Sequence, residues 1–248
     1  MDAITIQVFW VALGTCLATG LGAVPFVFAP NLTERWHGLA AAVAGGMMIS
    51  ASVFALTYKA LARGDGWAVL VGLLTGALFF DWTAKRLEHK HWHIGDLSEA
   101  DSRPGVLMIA TMFVHSIPEG VAVGVGYATG ELRFGLLLAL AIAIHNIPEG
   151  IAVTLPLRAK GVPLRTCAAF AILTSVPQPL LAVPAYLLVA VFQRLLSFGL
   201  GFAGGAMIFL VVAELLPESF AHCSVRETAW GVMVGLVIML GLTIGLAI

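Results

Sequence analysis

The chain has 248 residues and a net charge of −1, with 60% hydrophobic residues and only 11% charged ones. Because soluble domains carry about a quarter charged residues, this composition indicates a polytopic membrane protein. The sequence contains no basic tract that would favour binding to nucleic acid. Cys16, Cys167 and Cys223 are isolated, which argues against a disulfide framework and against a thiolate zinc site.

The breaks in hydropathy predict eight membrane-spanning helices, since about 20 apolar residues are needed to cross a bilayer. The first apolar segment lacks the basic flank of a signal peptide and is expected to be a retained helix. No segment suits a separate soluble domain, so residues 1–248 are expected to form one all-α membrane domain. The predicted helices span residues 5–29, 37–59, 66–84, 105–127, 134–157, 165–191, 197–217 and 228–248.

The lysines and arginines predict how these helices are oriented. An even number of helices places both termini on the same side of the membrane. If that side is the outside, most of the basic residues fall in the inner connections. The positive-inside rule therefore predicts a multi-pass protein of the plasma or inner membrane with both termini extracytoplasmic. The longest connection, residues 85–103, would then be cytoplasmic.

A short segment of helix two is similar to one of helix seven: AGGMMI at 44–49 and AGGAMI at 203–208. Runs of small residues recur by chance in membrane helices, so this similarity alone is weak. If it is real, helices one to three and six to eight are related units of opposite orientation. Such units would flank helices four and five in a 3+2+3 arrangement, and inverted repeats of this kind are typical of transporters.

A nine-residue motif occurs twice, HSIPEGVAV at 115–123 and HNIPEGIAV at 145–153. In each copy a histidine and a glutamate are four residues apart, which places them on one face of a helix. Ionisable side chains in a lipid-spanning segment are costly unless they face a cavity, a partner or an ion. The alternative is buried His–Glu links between helices, which the duplication makes the minor interpretation. The candidate metal ligands are His115, Glu119, His145 and Glu149.

Imidazole and carboxylate ligands suit zinc, iron, manganese, cobalt or cadmium better than calcium. We expect such a site to release protons when it binds metal, and to bind metal less well at low pH. Pro118 and Pro148 remove one helical hydrogen bond each and predict kinks in helices four and five. Ser116 and Asn146 either border a second ion position or satisfy the broken backbone.

The two motifs, together with GGMMISAS in helix two and GGAMIFLVVAELLPES in helix seven, resemble the ZIP (Zrt/Irt-like) metal transporters, especially their prokaryotic GufA-type branch. The resemblance implies eight helices, extracytoplasmic termini and a homodimer in the lipid bilayer. It also implies transport of a divalent ion into the cytoplasm. Zinc is the expected substrate, with cadmium, iron and manganese as alternatives, and no catalytic cofactor is expected. An elevator movement of helices one, four, five and six against the others is implied as well.

Carried over to this chain, the resemblance implies a primary site of the four motif ligands together with Met48 of helix two. A neighbouring position would use Ser116, Asn146 and the same two glutamates. Gln178 occupies a position where many relatives of this branch have glutamate, and Ser116 one where asparagine is frequent. Both differences reduce the charge of the second position, so we expect one transported ion beside an accessory position rather than a binuclear centre.

Further candidate ligands lie towards the predicted cytoplasmic side. His89, His91 and His93 alternate along the long connection and do not share a helical face. They form either an extended metal-catching segment or a plain solvated loop. In helix seven the candidates for lining the inner exit are Glu214, Glu218 and His222, although Glu218 could equally be an interface residue.

Two other functions use a metal site of this kind. An intramembrane metalloenzyme would use the metal to activate water. Against it, the sequence has no HExxH or nucleophile motif, and each ligand is doubled across the repeat, so no enzymatic activity is expected. A metal exporter would use the same residues in the other direction, and the sequence defines the site better than the direction.

Overall fold

The computed structural model of the protein describes residues 3–29, 32–88 and 99–245. In these ranges the regular structure is helical, and eight helices are long and apolar enough to cross a membrane, which confirms the prediction. His89, His91 and His93 lie outside the described residues. The helices are α1 (Ala3–Phe28), α2 (Glu34–Leu61), α3 (Gly66–Glu88), α4 (Glu99–Ala128), α5 (Leu132–Ala159), α6 (Leu164–Val191), α7 (Gln193–His222) and α8 (Val225–Gly245).

Helices α3 and α4 reach further into the connection between them than predicted. In the last turns of α3, Lys85 forms an ion pair of 2.7 Å with Asp81, which lies one turn earlier. The guanidinium of Arg86 lies 4.4 Å from the ring centre of Trp82. Hydropathy detects only the apolar part of a helix, whereas side-chain pairs of this kind stabilise its continuation into water.

Several helices are distorted at positions that bear on the candidate site. Helix α1 contains a 3-10 turn at Gly20–Ala23, and α6 is interrupted between Thr174 and Pro177. Helices α2 and α7 each contain a π-helical segment, Ala51–Thr57 and Val211–Leu215. Both π segments follow the AGG segments at similar distances. The two helices therefore share a distortion as well as a sequence pattern.

The glycine pairs of α2 and α7 pack in equivalent surroundings. A Cβ on Gly46 would collide with the carbonyl oxygen of Val232 in α8, and one on Gly205 with that of Leu73 in α3. Only glycine allows this approach of two backbones. If α1, α2 and α3 correspond to α6, α7 and α8, the contact of α2 with α8 corresponds to the contact of α7 with α3. This correspondence is expected for two related units.

The glycines of the two motifs also have equivalent neighbours. Gly120 of α4 lies against the backbone of Gln178 in α6, and Gly150 of α5 lies against that of Thr19 in α1. Gly124, one turn later in α4, lies against the backbone of Ala182, further along α6. Gly120 and Gly124, four residues apart on α4, thus form a surface that packs on α6. Its consequence for the site is that α1 and α6 lie directly beside the two motifs.

The helices form two groups of four. Helices α1, α4, α5 and α6 pack on one another and are called the first group; α2, α3, α7 and α8 pack on one another and are called the second group. The groups meet mainly where α2 contacts α5 and where α4 contacts α7. Helices α3 and α8 are the least buried and expose large apolar side chains such as Trp67, Leu74 and Trp230, as expected of a surface in contact with lipid.

Candidate metal centre

Three ligands of the duplicated motif meet in the middle of the first group. Ligand atoms of Glu119, His145 and Glu149 all lie within 4.8 Å of one another, and the three side chains are buried. His145 Nε2 is 3.0 Å from Glu119 Oε1 and 3.9 Å from Glu149 Oε1. Glu149 Oε1 has no hydrogen-bond partner. One nitrogen and two carboxylates at this spacing match a site that holds zinc and leaves a further position open.

A polar network from α1 and α6 closes one side of this cluster. Gln178 Nε2 donates to Glu119 Oε2 at 2.6 Å. Gln178 Oε1 accepts from Thr15 Oγ1 at 2.6 Å and from Asn146 Nδ2 at 3.2 Å. Asn146 Nδ2 also lies 2.8 Å from the carbonyl oxygen of Thr15, while its Oδ1 has no partner. The interruption of α6 ahead of Pro177 is what brings Gln178 to the first glutamate.

His115 is turned towards the second group. Its Nε2 is 2.6 Å from Glu214 Oε2 of α7, and its ring lies beside that of Phe80. Its Nδ1 is buried without a hydrogen-bond partner. In this conformation the fourth motif ligand is therefore paired with a residue that the sequence analysis placed at the inner exit. The His115–Glu214 contact joins α4 to α7 across the boundary between the groups.

Met48 and Ser116 are both buried near the motif. Met48 belongs to the apolar core that also contains Val114 and Ile142, which precede the first and the second motif copy. Ser116 is 1% exposed, within α4. Neither side chain takes part in the hydrogen bonds described for the cluster.

A cavity of about 830 Å³ leads from His115 to one end of the bundle. We call this the α1–α2 end, because the connection from α1 to α2 lies there. Glu214 lines the cavity near His115, and Glu218 and His222 line it further along α7. His37, at the start of α2, lines the same stretch.

The opposite end, where α2 connects to α3, is held together by ion pairs between the groups. Lys59 of α2 pairs with Glu131, which precedes α5. Arg63 donates to the carbonyl oxygen of Thr129 at 3.0 Å. Between this end and the three ligands lie buried apolar side chains of α4 and α5, including Phe134 and Leu138. The cavity thus approaches the centre from the α1–α2 end and reaches His115, whereas Glu119, His145 and Glu149 do not line it.

Sequence reasoning did not select Thr15 or His37. Thr15 is a single hydroxyl in an apolar helix, and its role depends on how α1 packs against α5 and α6. His37 is a single histidine without a repeated partner, and it meets Glu218 and His222 only because α2 packs on α7. Neither residue has a local pattern that would single it out.

Comparisons with known proteins agree with the motifs. Residues 83–188, which contain both motif copies and Gln178, match the family described as ZIP Zinc transporter. The zinc transporter GufA of Myxococcus xanthus is 35% identical over 240 residues, which are 92% of this chain and 94% of GufA. The zinc transporter ZIPB of Bordetella bronchiseptica is 34% identical over 243 residues, which are 90% of this chain and 76% of ZIPB.

A candidate zinc transporter of Arabidopsis thaliana is 41% identical over 229 residues, but this chain spans only 36% of its length. The similarity to GufA, in contrast, extends over nearly all of both chains. The duplicated motif, the eight spanning helices and these relatives lead to one conclusion. The chain belongs to the ZIP family of zinc transporters, which are multi-pass membrane proteins and not enzymes.

Proposed function

We propose that the protein carries divalent metal ions, zinc foremost, across the membrane, and that the ion is bound by Glu119, His145 and Glu149. The observation that carries the proposal is the convergence of three buried ligand atoms within 4.8 Å, midway along two spanning helices. Two carboxylates supply the negative charge that a divalent ion needs in a site removed from water. Cadmium, iron and manganese ions accept the same ligands and are alternative substrates.

His115 and Met48 are proposed to complete the site in part of the transport cycle. His115 reaches the ion when it is released from Glu214, and Met48 approaches from the second group. The accessory position is bordered by Ser116, Asn146 and Gln178. Because Gln178 already donates to Glu119 Oε2, its N–H group opposes a second cation there. This supports a single transported ion.

We propose that transport is directed into the cytoplasm. The distribution of basic residues assigns the α1–α2 end to the cytoplasm and both termini to the outside. The cavity that reaches His115 is at that end, so the conformation described here is open to the cytoplasm. Export would use the same site, and the direction is decided by measuring accumulation. Cells that express the protein should gain labelled zinc; faster loss of preloaded zinc would support export instead.

The proposed mechanism is an elevator movement of the first group against the second. All three ligands belong to α4 and α5 of the first group, so the ion would move together with them. Among the residues whose side chains are described, the polar contacts between the groups include His115 with Glu214 and Lys59 with Glu131. Residues 1–248 would act as one transport domain, assembled as a homodimer in the plasma or inner membrane.

Uptake of labelled zinc into proteoliposomes tests the site. Wild-type protein should load the vesicles, whereas the variant Glu119→Ala, Glu149→Ala should show neither uptake nor binding at the centre. A matched control is Glu227→Ala, which removes a carboxylate from the surface ion pair with Arg35 and should transport normally. Wild-type flux in the double variant would exclude this site.

A further inference from the structure

A second group of metal-ligating side chains lies in the cavity, away from the centre. His37 Nδ1 is 3.5 Å from Glu218 Oε1, and His222 Nε2 is 3.2 Å from the same oxygen. The two imidazole rings are 5.2 Å apart between centroids. Ligand atoms of all three residues lie within 4.8 Å of one another. We call these three residues the mouth cluster.

The spacing of the mouth cluster fits a zinc-like ion. A tetrahedron with metal–ligand bonds of about 2.0–2.1 Å has edges of about 3.3 Å. Glu218 Oε1 lies 3.5 Å from His37 Nδ1 and 3.2 Å from His222 Nε2, close to that edge length. Two nitrogens and one carboxylate, with a fourth position open to the cavity, would be a common ligand set for zinc. All three residues line the cavity, so an ion in the cavity can reach them.

A further carboxylate lies close to one of these ligands. Glu34 Oε2 lies 3.5 Å from His222 Nδ1, on the opposite side of the ring from Glu218. A histidine that ligates a metal usually donates its other ring N–H to such a carboxylate, which sets the tautomer and the ring orientation. Glu34 is within reach of that second ring nitrogen of His222.

The backbone around the mouth cluster holds the two helices close together. A Cβ on Gly38 would lie 2.8 Å from Cys223 Sγ and 3.0 Å from His222 Cβ, so only glycine permits this approach without adjustment. Cys223 Sγ donates to the carbonyl oxygen of Arg35 at 3.4 Å and is turned away from the imidazoles. The His37 and His222 side chains are thus brought together by the packing of α2 on α7.

We infer that His37, Glu218 and His222 form a second divalent-metal site, which receives the ion after it leaves the centre. The inference rests on the proposed function. Glu214, Glu218 and His222 are four residues apart along α7 and line one cavity, so they form a row of ligands from His115 to the mouth. The mouth cluster lies wholly in the second group, whereas the central ligands lie in the first. Movement of the first group would therefore leave the mouth cluster assembled.

Cobalt binding to the full chain in lipid nanodiscs tests this site directly. The variant Glu119→Gln, Glu149→Gln removes the central carboxylates with little change in shape. It should still bind one Co²⁺ with the visible absorption of a histidine-ligated ion of low coordination number. Adding His37→Ala and His222→Ala should abolish that absorption. An ion that survives these two substitutions, or no ion at all before them, would overturn the inference.

A matched control separates ligand loss from damage to the same end of the molecule. Arg35→Ala with Glu227→Ala removes an ion pair between α2 and α8 beside the mouth cluster, and it should leave the Co²⁺ signal intact. Zinc uptake by the His37→Ala, His222→Ala protein should fall severalfold but stay above that of the central-site variant. Unchanged uptake with lost binding would show that the mouth site does not receive the transported ion.

These measurements distinguish the proposed transport function from the proposed metal site at the mouth cluster. Absence of uptake by wild-type protein, together with an intact Co²⁺ signal in the Glu119→Gln, Glu149→Gln variant, would reject transport and retain the mouth site. Normal uptake by wild-type protein without that signal would reject the mouth site and retain transport.

Discussion

Gln178 donates to Glu119 through Nε2 and accepts from Thr15 and Asn146 through Oε1. A carboxylate at this position could not donate to Glu119 and would repel it, and a second cation would relieve that repulsion. Gln178→Glu should therefore raise the metal stoichiometry, measured by isothermal titration, by up to one ion per chain relative to wild-type protein. Turnover in proteoliposomes should fall, because release becomes slower.

Gln178→Met provides the neutral comparison for this substitution. It removes the hydrogen bonds without adding charge, so it should leave the stoichiometry at the wild-type value. Equal stoichiometry and flux in Gln178→Glu and wild-type protein would mean that Gln178 only satisfies the interrupted backbone of α6.

The two motif histidines have unequal surroundings. His145 lies between Glu119 and Glu149, whereas His115 pairs with Glu214. We expect His145→Ala to weaken zinc binding more than His115→Ala, whose loss should be nearer the roughly 10–100-fold typical of residues that support a metal ligand. Competition with a zinc-sensitive dye measures both affinities. A weaker effect of His145→Ala would place the ion on the His115 side.

Individual residues of the site differed in how far sequence could predict them. The sequence singles out His145, Glu119 and Glu149 as candidate ligands because a repeated i,i+4 pair of ionisable residues is conspicuous in an apolar helix. The pairing of His115 with Glu214 was not predicted, since it depends on how α4 meets α7. Thr15 was missed for the same reason, because the packing of α1 decides which of its hydroxyls faces Gln178.

At the scale of helices, Gly46 and Gly205 control how closely the second group packs. Gly46→Ala and Gly205→Ala should each destabilise the protein by about 1–3 kcal/mol, the usual effect of overfilling a packed contact. Gly241 is the matched control, because a Cβ there meets no atom within 4 Å. Thermal unfolding in detergent should show lower midpoints for the first two variants and no decrease for Gly241→Ala. Equal midpoints for all three would contradict the close packing.

The number of helices followed from hydropathy, since each apolar segment is separated by polar residues or turns. The irregularities within the helices did not follow from hydropathy. The π segments Ala51–Thr57 and Val211–Leu215 consist of ordinary helix-compatible residues. Both segments lie where α2 and α7 pack on each other, and local sequence carries no signal of that packing.

For the whole molecule, the contacts at the α2–α3 end oppose opening there. Lys59 and Arg63 of the second group hold Glu131 and Thr129 of the first. Exposed ion pairs contribute about 0–1 kcal/mol, so Lys59→Ala should shift the balance between the two open states by up to about fivefold. A cysteine at Met112, which lines the cavity, reports the shift as slower labelling by a maleimide from the α1–α2 end.

The labelling experiment uses a background in which Cys223 is replaced by serine. Lys85→Ala is its control, because it removes a comparable ion pair within α3 that does not cross between the groups. Unchanged labelling in Lys59→Ala, or an equal change in Lys85→Ala, would contradict a role for the Lys59–Glu131 pair in holding that end closed.

The equivalence of α2 and α7 has one more consequence. Aligning Gly45 and Gly46 with Gly204 and Gly205 places Ala55, Lys59 and Arg63 opposite Glu214, Glu218 and His222. An ion leaving through the α1–α2 end thus meets ligands, whereas one leaving through the other end meets fixed positive charge. The protein would then act as a rectifier. Under gradients of equal size and opposite direction, ion flux towards the α1–α2 end would exceed the reverse flux. The equilibrium distribution of the ion would not change.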